Sequence, residues 1–182
     1  MDLAKNLFYS QRALNTLFSV TNKLQMQGDR YLEDITIRQM LAIPAIIHAP
    51  RGQATINHIA RQLGTTKQSA KQIVDAMEKK KYLSVEPSEQ DKRAVNVTIT
   101  DEGKTAFGIC SGRTDEFLAD IFAEFTTAEL ETLCALLQKL YCFDGVQKEG
   151  FDSRHMEYDP GNADIVMQYH QSFVKRRTRK DE

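Results

Sequence analysis

Between Thr55 and Thr100 two short apolar stripes flank one glycine and are followed by two alternating runs, an order that few folds accept. Ile56, Ile59, Ala60 and Leu63 fall at i, i+3, i+4 and i+7, one side of an α-helix. Gly64 stops it. Thr65 then opens a second helix, with Gln68 three residues on completing a capping box. Ala70, Ile73, Val74 and Met77 repeat the stripe, which turns Thr65, Gln68, Lys71, Gln72 and Asp75 outward. That outward face is polar, long-limbed and rich in amides, as base-edge readout in a major groove requires. Helix, tight turn, helix is the arrangement that carries such a face into DNA.

The alternating runs predict a hairpin. Leu83 and Val85 alternate with polar residues, as do Val95, Val97 and Ile99, so both strands are half-buried. The connection Pro87-Ser88-Glu89-Gln90-Asp91-Lys92-Arg93 is too polar to bury at its tip. A helix-turn-helix followed by a charged hairpin is a winged helix, and the fold class is mainly α with a small β-hairpin wing. The segment LGTTKQSAKQIVDAMEKKKYL, the wing PSEQDKRAVNVTIT and the DEG that opens the next helix together resemble the DNA-binding core of the MarR family of bacterial transcription regulators. The resemblance covers Thr36 to Gly103 closely and the flanking helices more loosely. It is specific because it joins several motifs in order.

On the reading helix, Gln68 and Gln72 present amides suited to adenine N6 and N7, each good bidentate pair discriminating by about 1–3 kcal/mol. Lys67 and Lys71 suit phosphates, and Thr65, Thr66 and Ser69 offer hydroxyls to backbone oxygens. Arg38 and Asn57 are weaker phosphate-contact candidates. Asp91 and Arg93 match the acidic and basic positions of the family's wing, where the arginine enters the minor groove and the aspartate braces the hairpin. A narrow minor groove has enhanced negative potential, which favours an inserted guanidinium. Lys92 adds a candidate phosphate contact.

The resemblance further implies a winged helix-turn-helix DNA-binding domain over residues 31–100, flanked by an N-terminal dimerisation helix over 1–30 and C-terminal dimerisation helices over 101–145. In the family these outer helices intertwine, giving a homodimer on a pseudo-palindromic double-stranded site, repression as the commonest mode, and release by a small-molecule effector bound between the dimer helices and the lobes. The seams agree. Leu3, Leu7, Leu14, Leu17 and Leu24 form a coiled-coil-like stripe on a helix expected from Asp2 to about Gln27, with Gly28 to Ile35 as a connection. Thr36 to about Ile47 forms the next helix, with Met40, Leu41, Ile43 and Ile47 as candidate core residues and Pro44 as a candidate kink. Thr100 caps a further helix in which Gly103, Gly108 and Gly112 mark close packing or a bend. Phe117, Leu118, Ile121, Phe122 and Phe125 extend its apolar face, and a capping box at Thr126 and Glu129 starts the helix bearing Leu130, Leu133, Leu137 and Leu140.

The tail over 146–182 departs from the family plan, which would end near Asp144. Asp164 to Val174 reads as one extra helix, and Lys175-Arg176-Arg177-Thr178-Arg179-Lys180 as a basic end. A solvated end, a phosphate clamp and a dimer-stabilising arm all remain open for it.

The formal net charge is −1, yet from Arg51 to Arg93 nine bases face five acids, a local excess of four positive charges. A basic lobe on an acidic body still attracts phosphates. Hydrophobic residues at 41% and charged residues at 27% mark an ordinary globular chain of 182 residues, with no membrane span or secretory leader, and a cytoplasmic location is expected. Cys110, Cys134 and Cys142 have no paired spacing and read as buried small hydrophobes. A cysteine-based redox-sensing regulator is the sharper alternative, and a winged-helix protein-interaction module without DNA binding is another. His48, His58, His155 and His170 lack zinc-ligand spacing, so neither a metal nor a cofactor is expected. P-loop, GxGxxG, HExxH and GxSxG patterns are missing, so the chain does not read as an enzyme.

Overall fold

A computed structural model describes residues 2–50, 52–88, 94–145 and 170–178. Helix α1 spans Leu3–Leu32, α2 Ile37–Ile47, α3 Ile56–Gln62 and α4 Lys67–Lys79. Strands β1 (Leu83–Pro87) and β2 (Val95–Ile99) follow, then α5 (Asp101–Ile121), α6 (Thr127–Tyr141), a 3-10 turn at Cys142–Asp144 and α7 (Gln171–Thr178).

The core gathers α2, α3, α4, the hairpin, the end of α1 and the first half of α5. Ile59, Ala70, Val74, Met77, Leu83 and Val97 are all but solvent-free within it. These include the stripe positions of the two short helices, and truncating one such as Met77 to alanine would cost about 2–5 kcal/mol. The strands pair antiparallel in the register Leu83 with Ile99, Val85 with Val97 and Pro87 with Val95. Thr55 bridges Asn96 on the other side of β2, tying the start of α3 to the sheet. Pro87 belongs to β1, and Ser88, expected to be solvated, is buried with its N–H on the Ala94 carbonyl at 2.9 Å.

Three expectations need correction. Helix α1 does not end near Gln27; it continues through Gly28, which packs against Ile37, to Leu32, which is buried completely. The apolar Leu32 repays the extra turn, and Asp29 Oδ1 then accepts the Ile37 N–H at 2.7 Å, joining α1 to α2 across a short corner. In α2 the buried face is Gln39, Ala42, Ile43, Ala45 and Ile46, whereas Leu41 and Ile47 are exposed. Pro44 stays inside that helix, which reaches Ile47. In the helix-turn-helix, Thr66 and not Thr65 is the N-cap of α4: its hydroxyl accepts the Ser69 N–H at 3.1 Å, so no box forms with Gln68. Gly64 takes φ 59° and spends the one left-handed residue that the turn requires.

Capping at Thr126 and Thr100 is as read: Thr126 with Glu129 forms a reciprocal box, and Thr100 accepts the Gly103 N–H at 3.0 Å. Thr36 with Gln39 forms a further box that the sequence reading did not single out. Helix α6 has no buried residue. Along it and α1, Leu3, Phe8, Leu14, Phe18, Leu136 and Leu140 are more than half exposed, and Phe143 is 84% exposed. No described helix is long and apolar enough to cross a membrane.

Candidate nucleic-acid interface

Helix α4 is amphipathic by construction. Ala70, Val74 and Met77 are buried, and Thr66, Lys67, Gln68, Lys71 and Gln72 are exposed, with Thr65 and Ser69 half-buried at its start. The hydroxyl of Thr66 donates to Ser69 Oγ at 3.0 Å as well as capping the helix. Both hydroxyls are therefore fixed beside the positive end of the helix, where a phosphate oxygen is favoured.

Arg38 comes to the same place. From the start of α2 its guanidinium donates to Thr65 Oγ1 at 3.3 Å, so a cation separated by 27 positions in sequence lies next to the α4 cap. Asn57 is exposed on α3. Lys71 is the exception on the reading face: its ammonium pairs with Asp75 one turn later at 2.6 Å. Both side chains are more than half exposed, so the pair is worth at most about 0.5 kcal/mol and yields readily to a phosphate. The spacing i, i+4 in the sequence carried that signal. Asp91, Lys92 and Arg93 lie outside the described residues.

The sequence reading also missed a contact behind the turn. Tyr141, at the end of α6, stands against Gly64: a side chain there would begin 3.6 Å from its ring and 3.7 Å from its hydroxyl. Together with Leu14, Phe18, Leu137 and Phe143 these residues line an open apolar groove of about 1070 Å³ between α1, α6 and the helix-turn-helix. A second groove of about 1020 Å³ runs along the other flank of α1 and α6. Only tertiary proximity brings Gly64 and Tyr141 together, so no local pattern could have found it.

The cysteines divide. Cys110 is buried in the core as expected, and desolvation pushes its thiol pKa up, which leaves little thiolate. Cys134 is exposed and Cys142 half-buried, against the expectation that all three are interior. Among the described residues no group of three or more His, Cys, Asp or Glu side chains is arranged to hold a metal.

Residues 33–94 match the model of the MarR family. No curated protein sequence matches significantly. Solved structures do. The chain is similar to the S. aureus MepR–DNA complex at 24% identity and TM-score 0.62, over 70% of this chain and 95% of that one. It is similar to a MarR/EmrR family transcriptional regulator from Acinetobacter sp. ADP1 at 24% identity and TM-score 0.65, over 75% and 98%. A mutant MarR from E. coli complexed with operator DNA aligns at 23% identity and TM-score 0.63, over 77% and 99%. At such identities the likeness is one of fold, and it covers nearly all of each relative while leaving part of this chain unmatched. The family match over residues 33–94 and the helices and strands described around it give the chain a winged helix-turn-helix fold similar to that of MarR-family regulators.

Proposed function

We propose that the chain is a sequence-specific, DNA-binding transcriptional regulator that acts as a homodimer on a pseudo-palindromic operator, most simply as a repressor. One observation carries the reading: α4 exposes Gln68 and Gln72, each next to a cation, Lys67 or Lys71, beside a capped helix start joined by Arg38. Gln68 and Gln72 read base edges, while Lys67, Lys71, Arg38 and the hydroxyls of Thr65, Thr66 and Ser69 hold phosphates. Arg93, steadied by Asp91, reaches the adjacent minor groove, with Lys92 on its backbone. The solved relatives that contain DNA favour this use of the same fold.

In this reading residues 31–100 form the DNA-binding lobe. Residues 1–30 and 101–145 supply the dimer helices. The unpartnered apolar side chains of α1 and α6 favour a second copy as their cover, since a monomer rarely leaves so large an apolar patch in water. Two-fold symmetry then spaces the half-sites about one helical turn, roughly 10 bp, apart. The groove behind Gly64 would suit an apolar effector with one polar group, which acts only if it prefers one lobe spacing over another. The place of action is the cytoplasm.

Gel shift with genomic fragments at two salt concentrations tests the reading. Affinity should fall steeply with salt, with a slope of about −0.9 per phosphate contacted. Binding that ignores salt, or no binding, would leave a protein-interaction module as the better account.

A further inference from the structure

Helix α5 belongs to both halves of the subunit. Gly103, Phe107 and Cys110 of its first half enter the lobe core, and Asp115, Phe117 and Ala119 of its second half are buried beneath α1 and α7. Helix α1 is shared in the same way, because its last turn ends in the lobe core at Leu32 while its N-terminal turns face α6 across an open apolar groove. The two helices meet at the Tyr31 and Phe117 rings, 5.2 Å apart, and at Asp120, whose Oδ2 accepts the Tyr31 hydroxyl at 2.5 Å.

Helix α7 lies along this junction. Arg176 donates Nε to Asp120 Oδ1 at 2.9 Å and Nη2 to Oδ2 at 2.7 Å, a two-point grip on the carboxylate that Tyr31 also holds. Its Nη1 lies 3.6 Å from Glu116. Arg177 donates to the carbonyls of Phe122 at 2.8 Å, Ala123 at 2.9 Å and Phe125 at 3.3 Å, which caps the corner where α5 ends. At the other end of α7, His170 Nδ1 is 2.8 Å from Asp115 Oδ1, and Asp115 is only 4% exposed. A side chain on Gly112 would begin 3.4 Å from Ser172 Oγ, so the helices approach closely. The basic cluster thus spends Arg176 and Arg177 inward, and of its described residues Lys175 faces solvent.

We propose that α7 is an internal brace that fixes the angle between α1 and α5, and with it the separation of the two reading helices, with Arg176 as the positioning residue. The proposal rests on the dimeric DNA-binding reading above. Three elements converge on one carboxylate at the junction between lobe and dimer seam. At about 1.5 Å per residue α5 is a lever of some 30 Å, so a tilt of about 10° over 20 Å moves a lobe by roughly 3.5 Å. That is the rise of about one base pair.

The test uses the full-length protein and the variants Arg176→Ala, Arg176→Lys and Lys175→Ala. Without DNA, hydrogen exchange is followed at the amides around Tyr31 and over the second half of α5, with the dimer checked by sedimentation. With DNA, affinity is read on operators whose half-site spacing differs by one base pair, and the salt slope is recorded. Arg176→Ala should speed exchange about tenfold at those amides and flatten the spacing preference at an unchanged salt slope. Arg176→Lys, which keeps the charge without the two-point grip, should recover part of both, and Lys175→Ala should match the parent. Unchanged exchange in Arg176→Ala overturns the brace even if the parent protein binds no DNA, which would separately defeat the regulator reading. Faster exchange with an unaltered spacing preference, or a salt slope lowered by about one, overturns the positioning role.

Discussion

Gly103 and Tyr82 meet backbone to backbone: a side chain on Gly103 would place its first carbon 2.1 Å from the Tyr82 carbonyl oxygen. That oxygen also accepts the Thr100 N–H at 3.1 Å, so the approach and the cap of α5 are one feature. Gly103→Ala should therefore lower stability by about 1–3 kcal/mol or more, since backbone must move to admit a methyl. Gly108 is its control, with nothing within 4 Å of a built side chain. Gly108→Ala should be neutral or stabilising by up to about 1 kcal/mol. Urea unfolding of both variants at one protein concentration checks the contrast, and equal midpoints would refute it.

The two threonines before α4 should behave differently. Thr66→Ala removes the cap and should cost about 1 kcal/mol, with weaker operator binding because Ser69 also loses its partner. Thr65→Ala should leave thermal stability within about 0.5 kcal/mol, since it frees only the hydrogen bond from Arg38.

On the reading face, Gln72→Ala should relax preference at one base pair by about 1–3 kcal/mol and leave the salt slope alone. Lys67→Ala should weaken all sequences alike and lower the slope by nearly one. Arg93→Ala should weaken operators with narrow A·T minor grooves most. Binding titrations on single-base operator variants at several salt concentrations would separate the three, and undiminished affinity in Arg93→Ala would defeat the minor-groove assignment.

Thiol labelling at neutral pH should reach Cys134 first and leave Cys110 unmodified until the protein unfolds. Cys110 is buried and its thiol pKa is raised by desolvation, with the Arg113 charge opposing only in part. Mass spectrometry of a labelling time course decides the matter, and early modification of Cys110 would revive the oxidant-sensing alternative.

Acid should loosen the start of α6. Hydrogen bonds from the Thr126 backbone and then its hydroxyl hold the Glu129 pKa below its ordinary value. A depressed carboxylate stabilises the fold above the unfolded pKa of about 4.3 and loses that contribution as pH falls through the lower folded value. The group is fully exposed, so the effect is local. Exchange at the Thr126–Glu129 amides should rise below about pH 4 in the parent, and Glu129→Gln should abolish that pH dependence.

The parts of this fold that local pattern dictates could be read directly. The stripes of α3 and α4, the strand alternation ending at Ile99, and the caps at Thr100 and Thr126 each rest on residues a few positions apart. Where distant contacts decide, the reading drifted. Helix α1 runs past Gln27 because Leu32 has a core to enter, and Leu41 turns outward because the phase of α2 is set by Ala42, Ile43 and Ile46, which face the core. The cap shifted from Thr65 to Thr66 because Gly64 and Thr65 are both needed to turn the chain: the Thr65 N–H still bonds Ala60. For the candidate site, the face of α4 was visible in its periodicity. Arg38 joins it only through folding, and the wing residues Asp91, Lys92 and Arg93 fall where the structure describes nothing. The expected tail helix, Asp164 to Val174, begins outside the described residues, and the observed turn of helix extends through the basic cluster to Thr178 because Asp120 and the end of α5 neutralise it.

Helix α6 keeps its leucines and Phe143 in water for as long as the chain is alone. If a second copy covers them, as proposed above, completing the molecule is second order: halving the number of copies quarters the rate at which pairs form, and dilution withdraws structure as well as company. On that reading the assembled fraction falls faster than the copy number does, so dosage itself becomes a control on the bound sites.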